Sequence, residues 1–389
     1  MGNPASKYST NAIILVLALA LFTLLVSVFS EGLGGGLIST SFVKTLGKTL
    51  CLCLIAIAMD LVWGYCGILS LGHFAFFGLG GYMIGMWLMY ERTCNIVENS
   101  LAQGAIPPTH QEVIDGIGTQ IFGVVGSSEF PIIWAFADSL VAQLALVVLV
   151  PGIMAFIFGW LAFRSRVTGV YLSILTQAFT LALSLYLFQN ESGLRGNNGL
   201  SGLQNLPHVT APQDQVSLWL FWASALALGL GYLGASALVA GKFGSVIRAI
   251  RDNEARVRFL GYKVEHYKLA VFTMTACMAG IAGALYYPQA GIVNPAEMAP
   301  IASIYLAVWV AIGGRGRLYG AVIGAALVSL LSTWFTGGQA PDINLGSFSI
   351  KWVDWWQVLL GLGFVLVTLF APKGLGGLID RFYSKGPHK

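Results

Sequence analysis

The sequence predicts an all-α polytopic membrane protein with about ten transmembrane helices. Composition gives the class: of 389 residues, 56% are hydrophobic and only 10% charged, and the mean hydropathy is +0.75. A soluble protein carries about 25% charged residues to cover its surface. A water-soluble enzyme, a disordered chain and a nucleic-acid-binding domain are therefore excluded. The second observation is a series of ten apolar runs that read as long enough to cross roughly 30 Å of hydrocarbon at about 1.5 Å per residue. The third is the way the few charges sort between the loops joining those runs.

In chain order the runs are Asn11 to Phe29, Leu46 to Trp63, Ile68 to Tyr90, Trp134 to Leu161, Gly169 to Phe188, Val216 to Ala240, Leu269 to Tyr287, Met298 to Gly313, Leu318 to Phe335 and Trp355 to Phe370. The first follows Lys7, is longer than a signal-peptide core and lacks a small-residue exit, so it is expected to stay as a span. Ten spans put both termini on one side. Placing that side in the cytoplasm assigns it sixteen of the 21 basic residues, while the outer loops keep twelve of the 17 acids. A wrong span count would scramble this separation, which matches the positive-inside rule. The whole chain, 1–389, thus reads as a single transmembrane domain. It has an extended outer loop over 91–133, holding Pro107-Pro108 and five acids, and a basic cytoplasmic loop over 241–268.

Two stretches depart from plain helix. Leu69 to Gly85 contains five glycines, and Met298 to Gly316 runs short before Gly313, Gly314 and Gly316. Such interruptions mark either broken helices around a substrate path or close packing through small residues. Cys51, Cys53, Cys66, Cys94 and Cys277 show no CxxC spacing, and all but Cys94 sit inside apolar runs, so they are expected to act as small packing residues.

The most informative segment is Gly244 to Lys268, reading GSVIRAIRDNEARVRFLGYKVEHYK. It opens as an amphipathic helix, with Val246, Ile247 and Ile250 apolar and Arg248, Arg251, Asp252 and Glu254 polar, and Gly261 can reverse the chain into the next span. A short helix with alternating charge is a good rigid plug for a groove on a partner. This loop resembles the coupling segment of ABC importer permeases, which docks on the ATP-binding subunit. The resemblance covers nearly the whole chain. MDLVWGYCGILSLGHFAFFGLGGY (Met59 to Tyr82), LVPGIMAFIFGWLAFRSRVTGVYLSILTQA (Leu149 to Ala178), GNNGLSGL (Gly196 to Leu203), WVAIGGRGRLYGAVIGA (Trp309 to Ala325) and APKGLGGLID (Ala371 to Asp380) follow in that order. They resemble the branched-chain amino acid (LivM-like) type of ABC permease, and within it the urea-transporter permeases.

That resemblance implies an ABC importer permease fold in a bacterial inner membrane. It also implies a second homologous permease subunit, two ATP-binding subunits, an external solute-binding protein and surrounding membrane lipid as partners, with no nucleic acid. It implies coupling roles for Arg248, Arg251, Asp252, Glu254, Ala255, Arg256 and Gly261. Hydrolysis falls to the partners: Gly47-Lys48-Thr49 mimics the end of a P-loop, but Phe42 stands where its leading glycine belongs. No cofactor and no metal is expected.

Asp60 is the carboxylate well inside a span, and holding it there costs at least a few kcal/mol. It either pins loop amides around Gly64 and Gly67 or faces the path. Ser70, His73, Tyr82, Ser173, Thr176 and Gln177 are the other polar members of apolar spans. They read as candidates for a path carrying urea, which is small, neutral and planar. The alternative for each is an interhelical hydrogen bond. Asn197-Asn198 is expected to shape the face that receives a binding protein. The same machine for amino acids is the alternative substrate reading, although it would need partners for a carboxylate and an ammonium. An ion-coupled carrier or passive channel would not need the docking loop, and a membrane enzyme would need a converging catalytic set that the sequence lacks.

Overall fold

The computed structural model describes residues 4–102, 132–205, 211–337, 343–345, 348–350, 352–370, 374–377 and 380. Helices occupy all ten predicted runs. They are α1 (Pro4–Phe29), α2 (Thr40–Asp60), α3 (His73–Ala102), α4 (Leu140–Arg164), α5 (Val170–Phe188), α6 (Gln213–Ala240), α9 (Val264–Ala290), α10 (Pro300–Gly313), α11 (Leu318–Thr336) and α12 (Trp352–Phe370). Between α6 and α9 lie the short α7 (Lys242–Asp252) and α8 (Glu254–Phe259), which form the candidate coupling segment. Seven of the long helices are apolar and long enough to cross a bilayer by themselves, and α10 and α12 are shorter apolar helices. Two small antiparallel ladders complete the fold: β1 (Leu200–Ser201) pairs with β2 (Ile292–Val293), and β3 (Ile343–Leu345) with β4 (Phe348–Ile350).

Sequence decides which helix sits in the middle. The second half of α2 alternates large aliphatics with Cys51, Cys53, Ala56 and Ala58, so neighbours approach from every side and 89% of that span is buried. By contrast α1 carries large aliphatics all round and buries only 17% of its span. The α3–α9 crossing is closer still. A methyl on Gly80 would lie 2.0 Å from the Gly280 carbonyl oxygen, and one on Gly283 would lie 1.8 Å from that of Phe77. The backbones meet through glycine, as small-residue helix seams do.

The third run does not start at Ile68. The helix of α2 ends in a π turn over Leu61–Tyr65, Gly67 takes a positive φ of 80°, and regular helix resumes only at His73. The break is therefore confined to Cys66–Gly72, while the remaining glycines of Leu69 to Gly85 serve packing. The fourth run likewise starts at Leu140 rather than Trp134. Ser139 caps it by accepting from the Ala142 amide, and Trp134 is tied outside by donating its indole N–H to the Gly193 carbonyl at 2.9 Å. A second break follows α9, with Gly291 at φ 85°, β2 and a single 3-10 turn before α10. At 14 residues α10 spans about 21 Å, and the Gly314 and Gly316 turn reverses it into α11 with positive φ at both glycines.

Helix α3 continues to Ala102, so the first part of the 91–133 segment is helical, and 103–131 lie outside the described residues. Asn197 lies next to the β1–β2 ladder, where its carbonyl accepts from the Asn294 side chain at 2.7 Å.

Candidate coupling and translocation site

Helix α7 turns Ile247 and Ile250 inward, and Ile250 packs with Val257 of α8 and Val264 of α9 into a small core separate from the main one. Asn253 breaks the two helices apart. Its extended backbone ends α7, and its side chain caps α8 by accepting from the Arg256 amide at 3.0 Å. Gly261 then closes the loop at φ 87° with open space around it, so the glycine is needed for conformation rather than for room.

The seven coupling candidates take two kinds of position. Ala255, Arg256 and Asp252 are exposed, and half-buried Arg248 donates to the Ser245 hydroxyl at 3.4 Å. Glu254 is half-buried in an ion-pair network: one carboxylate oxygen accepts from Arg258 at 2.7 Å, the other from Lys268 at 2.5 Å, and Arg258 also bridges to Glu265. Burial alone would push the Glu254 carboxyl up, but Lys268 and Arg258 outweigh it and hold the carboxyl below the usual glutamate range. A group depressed in the folded state stabilises the fold above its unfolded pKa and loses that contribution as pH falls through the folded value. Glu254→Gln should therefore speed amide hydrogen exchange across 254–263 at neutral pH, and the gap to wild type should close in acid. A gap that stays constant into acid would mean that the carboxylate charge does not hold α8.

Arg251 reaches in the opposite direction. Its guanidinium donates to the Gly64 carbonyl in the π turn at 2.7 Å. On the other side of that turn Asp60, fully buried, accepts from the Gly316 amide at 2.7 Å, and the Arg315 guanidinium lies 5.1 Å from the Trp63 ring centre. The expected partners of Asp60 around Gly64 and Gly67 are thus replaced by the α10–α11 turn. The carboxylate still lies against Gly64, where an added methyl would sit 2.0 Å from it and 2.5 Å from the Gly316 nitrogen, so the turn from α10 to α11 reaches it at that glycine. The turn also receives the last motif block, as Arg317 pairs with Asp380 at 2.9 Å and the Tyr319 hydroxyl donates to the Gly376 carbonyl.

The path candidates gather around the Cys66–Gly72 break. Ser173 donates to the Leu69 carbonyl at 2.7 Å, Thr176 accepts from the Leu71 amide at 3.0 Å, and His73 bonds Ser70 at 3.1 Å and Thr275 at 3.2 Å. The first two bonds satisfy backbone groups that the missing helix leaves open, and the His73 pair ties side chains across the break. Thr275 lies eleven residues into α9, so His73 starts α3 roughly 16 Å from that end of the bundle. Ser173 and Gln177 line a cleft of about 580 Å³ that Arg251, Glu254 and Lys268 also line. Two sets that the sequence treats separately, path and coupling, share one cavity. Tyr82 stands apart from it, buried in the α3 seam with a hydroxyl that lacks a partner among the described residues.

Sequence reasoning missed Thr275 and Ser303, whose hydroxyl accepts from the Phe74 amide, because a lone hydroxyl in an apolar run carries no signal. It also missed Phe259 and Leu260, 93% and 73% exposed at the tip of the coupling loop. Two large apolar residues inside a charged loop were the available sign.

Comparison with known proteins gives a consistent picture. Residues 41–368 match the family described as branched-chain amino acid transport system / permease component. The chain is 27% identical over 256 residues to the high-affinity branched-chain amino acid transport system permease protein LivM of Escherichia coli strain K12, covering 58% of this chain and 56% of the relative. It is 24% identical over 239 residues to a probable LivM of Methanocaldococcus jannaschii, covering 60% and 68%. Over 134 residues it is 34% identical to the autoinducer 2 import system permease protein LsrC of Escherichia coli O9:H4, covering 33% and 36%. The match thus spans little more than half the length of the Escherichia coli LivM. With the family match running from α2 to α12, the chain belongs to the branched-chain amino acid transport system permease family.

Proposed function

We propose that this chain is the membrane-spanning permease of an ATP-driven importer, and that its cargo is urea or a close amide. In this reading the loop over 241–268 faces the cytoplasm, where α7 and α8 dock on one of two ATP-binding subunits. A second homologous permease completes the path, and an external binding protein delivers the solute. Closure of the ATP-binding pair pulls α7. Arg251 passes that pull to the π turn, and the cleft beside Ser173 and Gln177 opens or closes in step.

The observation that supports a neutral cargo is the chemistry of the buried polar set. Around the Cys66–Gly72 break it consists of hydroxyls and one imidazole. The two charged side chains within the buried set, Asp60 and Lys268, are already bonded to the Gly316 amide and Glu254. A neutral planar amide can exchange hydrogen bonds with such groups, whereas a carboxylate and an ammonium would each need a free counter-charge. The second reading, branched-chain amino acids, draws support from the names of the LivM relatives.

Uptake of labelled urea by cells with the operon intact and with this chain deleted tests the assignment. Energy-dependent uptake should fall to background in the deletion strain, and excess leucine should not compete. Uptake that survives deletion would overturn the permease reading, and competition by leucine equal to that by urea would overturn the cargo.

A further inference from the structure

Helix α4 ends in a way its sequence makes costly. The Arg166 amide bonds to the Phe163 carbonyl at 3.1 Å and the Val167 amide to that of Ala162 at 3.2 Å, a Schellman closure that places Arg166 at φ 56°. Glycine is the usual residue there, and a β-carbon in that conformation costs roughly 1–2 kcal/mol. An arginine held at such a position points to a use for the side chain.

Its surroundings supply one. A groove of about 340 Å³ runs between the end of α4 and the start of α9, lined by Trp160, Arg164, Arg166, Lys263, His266 and Leu269. Arg164 lies with its guanidinium 4.9 Å from the Trp160 ring centre. Among the described residues Arg164, Arg166 and Lys263 have no ion-pair partner within 4 Å. The acid in the groove, Glu265, is bridged to Arg258 and reaches Arg166 only as a longer-range charge interaction. Leading into the groove, Leu149, Ile153, Phe156, Ile157, Trp160 and Leu161 are all 44–55% exposed. Their spacing of three and four residues makes them one continuous apolar stripe along α4. An apolar stripe that ends in a tryptophan and then in unpaired cations matches a lipid in cross-section: acyl chain, interface, headgroup.

We propose that this groove binds the phosphate of an anionic phospholipid in the leaflet at the coupling end, with its acyl chains lying along the exposed face of α4. Arg166 and Lys263 hold the phosphate, and Trp160 with Arg164 sets the depth of the headgroup. Because Glu265 joins the groove to the Arg258–Glu254 network, the bound lipid sits one ion pair away from α8.

The test uses the full chain in nanodiscs of phosphatidylglycerol, phosphatidylcholine or their mixture, with retained lipid quantified by native mass spectrometry. Wild type should keep phosphatidylglycerol in preference to phosphatidylcholine. Arg166→Gly with Lys263→Gln should weaken that retention by on the order of 10- to 30-fold, since each basic residue near an anionic surface contributes roughly a fivefold factor. Arg166→Gly relieves the left-handed backbone, so the single variant should unfold at a temperature no lower than wild type, which separates lost binding from lost folding. The conservative Arg164→Lys and Lys263→Arg variants should retain the lipid. The proposal is overturned if the double variant retains phosphatidylglycerol as wild type does, or if phosphatidylcholine binds equally well. It is also overturned if only inorganic phosphate, added to phosphatidylcholine discs, distinguishes wild type from the variant.

Discussion

Gly283→Ala is expected to separate α3 from α9 and to cost the protein about 3 kcal/mol or more, the upper end for overpacking a close-packed interior. The added methyl would lie 1.8 Å from the Phe77 carbonyl oxygen and 2.7 Å from its carbon. Neither atom can rotate away, because both belong to the α3 backbone. Nearly one turn along, Gly80 faces the Gly280 carbonyl at the same kind of distance, so sliding one helix past the other meets a second collision. The His73 to Thr275 hydrogen bond crosses the same pair of helices and would lengthen with them. Thermal unfolding of purified protein in lipid nanodiscs should show a large downward shift for Gly283→Ala. Gly363→Ala on α12, where a methyl meets nothing within 4 Å, should leave stability unchanged or raise it by up to about 1 kcal/mol. Equal unfolding temperatures for the two variants would show that the α3–α9 seam yields easily.

The contrast between these glycines shows what the sequence could reveal. Helix count and class were legible because hydrocarbon length and charge sorting act on whole segments. The amphipathic start of the coupling loop was legible because Ile247 and Ile250 repeat at helical spacing. Which glycine packs and which breaks was not. Gly67 and Gly80 look alike in a string, and only the neighbour across the gap separates them: a positive φ at one, the Gly280 carbonyl at the other. Glu254 presents a related difficulty. On a helical projection it is a polar face residue, and only the return of α9 brings Lys268, fourteen positions later, onto its carboxylate. Asp60 was recognisable as a costly residue from burial alone, but its partner lies 256 positions away at Gly316, beyond any local rule.

That long-range partner makes Asp60→Leu the variant with the largest functional effect. The π turn is held from one side by Arg251 of α7 and from the other by Asp60 and Arg315 at the α10–α11 turn. Leucine fills the volume but leaves the Gly316 amide without its acceptor. A buried donor left unsatisfied costs about 1–3 kcal/mol, so the turn should lose its fixed geometry while the bundle stays folded. Under the importer reading, solute uptake should drop by tenfold or more, corresponding to at least ~1.4 kcal/mol. ATP hydrolysis by the assembled complex should persist, because the exposed face of α7 and α8 is untouched. Asp60→Asn keeps an acceptor and should fall between wild type and leucine. Gly64→Ala, whose methyl would press on the Asp60 carboxyl at 2.0 Å, should reproduce the leucine phenotype without removing the carboxyl. Loss of uptake and hydrolysis together would instead assign Asp60 to assembly, and full uptake in Asp60→Leu would free the π turn from any part in transmission. The separation of hydrolysis from transport is therefore the decisive quantity, since a residue that only stabilised the bundle would move both at once.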